Sequence, residues 1–123
     1  MASFKLTEGG NLLTIQQGAT FTLSVNYKDA NGSTIDLSSG HTARMQGRTT
    51  HASSSTIFSL TNGSGITLAA SNPNVVISIA ASDTDDFNAP SVGVYDLEIV
   101  KTATSEVFRI LEGRYEITPE VTR

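Results

Sequence analysis

The chain has 123 residues, eight basic and twelve acidic side chains, and a formal net charge of −4. That length implies one domain, burying roughly two-thirds of the surface its unfolded chain would expose, enough for a core without covalent staples. The absence of cysteine excludes disulfides and thiolate metal sites.

Nucleic acid is not an expected partner, because only Arg44 with Arg48 approaches the clustered cations of a phosphate-binding surface. The opening "MASFKLTEGG" lacks the apolar run of a signal peptide. No stretch approaches the roughly 20 apolar residues that span a bilayer, so no membrane partner is expected either.

Frequent Ser and Thr, with turn residues at short intervals, give an all-β composition. "NLLTIQQG" supplies a short strand at 11–16, ended by Gly18. In "TFTLSVNYK" (20–28) Phe21, Leu23, Val25 and Tyr27 fall on one face and polar residues on the other, the period of a half-buried strand. Asn31-Gly32 marks a tight turn, since both residues tolerate positive φ, and "TIDL" returns briefly. "HTARMQGRTT" (41–50) reads as a strand with Ala43 and Met45 inward and Arg44, Gln46 and Arg48 outward. "TIFSL" (56–60) and "GITLAA" (65–70) flank the turn "TNGSG", and "NVVISIAA" (74–81) aligns Val75, Ile77 and Ile79. In "SDTDDF" either Ser82 or Asp83 is placed to cap a single helical turn. The last two strands are "GVYDLEIVK" (93–101) and "EVFRILEGRYEI" (106–117).

"GVYDLEIVK" projects Tyr95, Leu97 and Ile99 one way and Asp96, Glu98 and Val100 the other. Residues two apart on a strand lie roughly 6–7 Å apart at the backbone, near the separation of an inverting glycosidase pair. Such a pair also needs one carboxyl desolvated in a cleft to raise its pKa. The hairpin argues otherwise. With "TATS" (102–105) as the turn, Lys101 faces Glu106, Val100 faces Val107, Ile99 faces Phe108, Glu98 faces Arg109 and Leu97 faces Ile110. Opposite charges across strands contribute roughly 0.2–1 kcal/mol and help fix register, and a one-residue slip would set Glu98 against an apolar side chain. The expectation is a structural cross-strand pair, Glu98 with Arg109, and no catalytic residues.

Other candidate sites are weaker. His41 and His51 sit at opposite ends of one predicted strand without cysteine or helical spacing, so no shared zinc site is expected. Asp83, Asp85 and Asp86 lack the glycine and distal glutamate of an EF-hand loop, so no metal is expected there. "NGSG" does not follow phosphate-cradling spacing, and no Gly-x-Ser-x-Gly elbow occurs. No cofactor is expected. A carbohydrate-binding module is the alternative of a different class, but tryptophan is absent and Tyr27, Tyr95 and Tyr115 all read as inward-facing.

Nearly the whole length resembles a family of small bacteriophage structural proteins, in particular the N-terminal domain of siphophage upper baseplate proteins. The resemblance is carried by "IQQGATFTLSV", "ANGSTIDLSSGHTARMQGR", the "GITL" and "VVISI" pair, the "SDTDDF" corner, "VGVYDLEIV" and "VFRILEGRYEITPEVTR". It implies an immunoglobulin-like antiparallel β-sandwich of about 7–9 short strands, working in the virion, with other virion proteins (tail, baseplate, neck, fibre or capsid) and further copies of itself as partners. The baseplate relatives continue into a linker and further modules where this chain reads "PEVTR". The expectation is therefore a non-enzymatic structural role in the tail, baseplate or fibre-attachment region for a single domain, 1–123, with residues 1–10 and 118–123 as candidate docking arms. A capsid cement or decoration protein is the runner-up in the same class.

Overall fold

Alternation of apolar and polar side chains becomes eight strands and one helical turn in the computed structural model, which describes residues 12–122. In chain order these are β1 (Leu13–Gln16), β2 (Phe21–Val25), β3 (His41–Arg48), β4 (Phe58–Asn62), β5 (Gly65–Leu68), β6 (Val75–Ile79), α1 (Ala81–Thr84), β7 (Ser91–Lys101) and β8 (Glu106–Thr118). They form one sheet ordered β1-β8-β7-β3-β4-β5-β6-β2. Laid flat, the two end strands would stand roughly 34 Å apart at about 4.8 Å per neighbour. Those end strands, β1 and β2, are joined by residues 17–20 alone, a link that reaches at most about 17 Å. The sheet must therefore roll until its ends approach, and the result is a barrel-like, sandwich-like all-β fold around one core.

That core takes side chains from every strand, among them Leu13, Ile15, Val25, Ala43, Met45, Phe58, Ile66, Ile77, Leu97, Ile99, Ile110, Leu111, Tyr115 and Ile117. The sheet is mixed, which corrects the expectation of antiparallel pairing throughout. β1 runs parallel to β8, with Leu13 beside Tyr115 and Gln16 beside Thr118. β4 and β5 are also parallel over two residue pairs, Thr61 with Gly65 and Asn62 with Ile66. The turn expected at "TNGSG" lies between them, although the strands it joins run parallel. Gly63 and Gly65 take φ of 86° and 98°, a region that glycine enters without a Cβ penalty. Within the loop Ser64 donates its amide to the Thr61 carbonyl at 2.8 Å and Gly63 to that of Ile66 at 2.8 Å.

Two further expectations are corrected. The helical turn starts upstream of the predicted caps: its N-cap is Ala80, with no side-chain cap bond, and Ser82 and Asp83 lie inside α1. The Ala80 carbonyl already accepts from the amides of Asp83 and Thr84 at 2.9 and 3.0 Å, so nothing is left for a hydroxyl at 82 to cap. In the β7–β8 hairpin Lys101, Val100, Ile99 and Glu98 face Glu106, Val107, Phe108 and Arg109, but Leu97 faces Leu111. Ile110 is the extra residue of a β-bulge, and both Ile110 and Leu111 are buried. The bulge reverses the phase of the strand, so that Tyr115 and Ile117 also face inward.

Among the described residues two buried side chains are polar, and both tie loops to the barrel. Asn74 accepts from the Tyr27 amide and donates to the Tyr27 and Ile35 carbonyls, each at 2.8 Å. Thr84 accepts from the Gly18 amide at 3.1 Å and lies 2.8 Å from the Ala19 carbonyl. Buried polar groups persist only when so satisfied.

Candidate functional site

The outer face of β3, β7 and β8 gathers the chain's chemistry-bearing side chains. Burial of Ala43, Met45, Leu97 and Ile99 on the inner face forces their strand neighbours outward, because successive side chains alternate. Pairing then sets Arg44, Glu98 and Arg109 in one row and Gln46, Asp96 and Glu112 in the next. Arg44 Nε donates to Glu98 Oε1 at 2.7 Å. Arg109 Nε lies 3.5 Å from Asp96 Oδ2 and 3.7 Å from Glu98 Oε2, and its Nη1 lies 3.6 Å from Glu112 Oε2.

Glu98 therefore stands opposite Arg109, but its shortest ionic contact is to Arg44 on the other flanking strand. Arg109 is shared among three carboxylates. No local pattern points from Glu98 to Arg44, since the β3–β7 pairing joins segments more than fifty residues apart. One cue existed in the outward reading of Arg44 on a strand whose neighbour had to be found.

The Asp96 carboxyl is raised above its ordinary pKa, first by desolvation and then by the neighbouring Glu98 and Glu112 charges, against which Arg109 and Arg44 act only in part. A raised carboxyl beside a second acid is half of a glycosidase arrangement. The other half, a substrate cleft, is small. The depression beside Asp96 holds about 170 Å³ and is lined by Gln46, Arg48, His51, Val94, Asp96, Arg109 and Glu112 among others. Small-molecule sites are typically about 300–1,000 Å³. Arg48 is tethered to the Ser53 carbonyl at 2.8 Å and to Gln46 Oε1 at 3.0 Å. Chemically, the row is an ionic network that locks three strands in register.

The remaining candidates are dispersed. His51 borders that depression, whereas His41 borders a different cavity at the other end of β3. Asp83, Asp85 and Asp86 are exposed around α1. Among the described residues no three His, Cys, Asp or Glu side chains are grouped so as to hold a metal ion, and no helix is long and apolar enough to cross a membrane. Tyr27, Tyr95 and Tyr115 are buried. Tyr115 packs edge-on against Phe58, ring centroids 5.4 Å apart, and lies against Gly93, where a Cβ would meet both its ring and the Arg48 carbonyl.

Sequence reasoning missed the second cavity altogether. It holds about 440 Å³ at the end of the barrel where the β7–β8 hairpin turns, lined by Tyr27, Ile35, His41, Ile99, Lys101, Glu106 and Phe108. The Tyr27 hydroxyl is buried and has no hydrogen-bond partner among the described residues.

Of the candidate docking arms, residues 1–10 lie outside the described residues. At the other end Thr118 closes β8 beside Gln16, and the Glu120 amide donates to Gln17 Oε1 at 3.2 Å. Val121 beyond them is exposed. No protein-family model and no curated protein matches the sequence.

Proposed function

We propose that this chain is a non-enzymatic structural protein of a bacteriophage virion, in the tail, baseplate or fibre-attachment region, acting in many copies by protein–protein contacts. The resemblance of its strand and turn motifs to small phage structural proteins points to the class. The observation that carries the non-catalytic reading is the ionic row. Glu98 lies between Arg44 and Arg109, and Asp96 and Glu112 share Arg109 on an outer sheet face, beside a depression of only about 170 Å³. Carboxylates so engaged fix strand register; a general acid needs a substrate-sized cleft and a proton to give.

A low charged fraction of 16% suits close packing of like copies, because symmetry multiplies interfaces that are individually weak. Burial of Tyr27, Tyr95 and Tyr115 supplies no aromatic platform for a sugar. The reading is tested by mass spectrometry of purified phage particles from cells that carry the gene. Peptides of this chain are expected at a fixed multiple-copy ratio to the other particle proteins. Their absence from intact particles overturns the proposal.

A further inference from the structure

We infer that two copies of this chain pair through the outer side chains of β8, the β8 of each lying antiparallel across the face of the other. This rests on the multi-copy reading above and names the surface and the symmetry of one joint.

The first observation is the order of charges along β8. Ile110, Leu111, Tyr115 and Ile117 are buried, so alternation about the bulge sends Arg109, Glu112, Arg114 and Glu116 to the outer face. Pairing with Glu98, Asp96, Val94 and Val92 of β7 sets them in four successive rows. At about 6–7 Å per row the stripe is roughly 20 Å long. Its signs run plus, minus, plus, minus. Reversed end for end, that order is its own complement. A twofold axis in the plane of contact, perpendicular to the strands and between the rows of Glu112 and Arg114, sets Arg114 against the Glu112 of a second copy. The same axis sets Glu116 against the second copy's Arg109. Each pair then occurs twice, as an isologous contact requires.

The second observation is what half of the stripe lacks. Arg114 is exposed and enters none of the ion pairs among the described residues, whose cations are Arg44 and Arg109. Glu116 meets no cation among those residues either; the Thr14 hydroxyl donates to it at 3.4 Å. Apolar surface flanks these two charges. Val92 on β7 and Leu12, one residue ahead of β1, are both exposed, and a second copy would cover them.

The third observation separates β8 from its neighbours. The outward charges of β3 are Arg44 and Arg48, which would repel their own copies, and those of β7 are Asp96 and Glu98, which would do the same. The outer face of a rolled sheet is convex, so two copies touch along a strand rather than across the whole sheet. Of these three strands β8 alone complements itself. Its two arginines and two glutamates cancel, which leaves no net field to draw a polyanion or a polycation. A slip of one row would bring like charges together, so the pattern also fixes the register of the joint.

The test is a charge exchange. Arg114→Glu and Glu112→Arg are made separately in the full-length protein, with Arg114→Ala as a milder variant, and followed by analytical ultracentrifugation alone and mixed. Both positions are exposed, so no core side chain is lost, and circular dichroism melting checks the fold. The wild type is expected at an even multiple of the 13.0 kDa chain mass. Each charge reversal sets like charges together twice and should weaken self-association at least about tenfold, with Arg114→Ala intermediate. An equimolar mixture of Arg114→Glu and Glu112→Arg should recover the wild-type affinity, because each introduced charge then meets its opposite. Variants that associate as well as the wild type, or a mixture as weak as its components, would overturn the proposal. A multimer insensitive to all three substitutions sinks this joint alone, whereas the multi-copy reading stands or falls on the particle composition described above.

Discussion

Replacing Glu98 and Arg44 singly and together measures how much the ionic row stabilises the sheet. Arg44 Nε and Glu98 Oε1 are 2.7 Å apart, and the Glu98 side chain is only 16% exposed whereas that of Arg44 is 52% exposed. Fully exposed pairs couple by about 0.2–1 kcal/mol. The short charge-assisted bond and the covered carboxylate place this pair at the top of that range, about 1 kcal/mol. The Arg109 contact to the same carboxylate is longer, 3.7 Å, with Arg109 itself 53% exposed and divided among three acids. A Glu98/Arg109 cycle should therefore yield about half as much coupling or less. Glu98→Gln alone should cost about 1 kcal/mol, because the amide oxygen still accepts from Arg44 but the charge assistance of that bond is lost. For a domain of this size each kcal/mol corresponds to a Tm change of roughly 4 °C. The assay is urea unfolding followed by circular dichroism on the four proteins of each cycle, in low salt and in 1 M NaCl. Salt should shrink both couplings. A Glu98/Arg44 coupling near zero, or one smaller than that of Glu98/Arg109, would refute the view that this row holds β3 to β7.

Two other substitutions have opposite signs. The Asp96 pKa is raised in the folded state by desolvation, then by Glu98 and Glu112, so the folded state holds the Asp96 proton more tightly than the unfolded state does. Its contribution to stability is fully present below the unfolded carboxylate pKa, about 3.9, and is lost as pH rises through the folded value. Asp96→Asn should accordingly flatten the fall in stability across that window and leave the protein at least as stable as the wild type at pH 7, as read from urea midpoints at a series of pH values. Asn74→Ala should cost about 3 kcal/mol, because it strips hydrogen bonds from the buried Tyr27 amide and the Tyr27 and Ile35 carbonyls, and Asn74→Asp should not rescue it, since an acceptor would then face both carbonyls. Equal thermal stability of Asn74→Ala and wild type would contradict the clamp.

Local pattern made the strands legible and left their assembly hidden. Val75, Ile77 and Ile79, or Tyr95, Leu97 and Ile99, announce an inward face because alternation is a property of a few consecutive residues. The hairpin register down to Glu98 followed from the short turn between Lys101 and Glu106, which leaves little freedom. The bulge was written in the sequence as two adjacent apolar residues, Ile110 and Leu111, between the phases of Phe108 and of Tyr115. A strict alternation passed over it. The parallel β1–β8 pairing and the continuity of the sheet from β4 through β5 had no local signal, because they depend on contacts formed only when the barrel rolls up. The same distance in sequence hid Arg44 from Glu98.

In the proposed role the chain works by joining other copies and other virion proteins. Light scattering coupled to size-exclusion chromatography, on the full-length protein over a hundredfold range of concentration, tests it most directly. That role predicts a discrete multimer whose mass is an integral multiple of 13.0 kDa. A 13.0 kDa species at every concentration would contradict it.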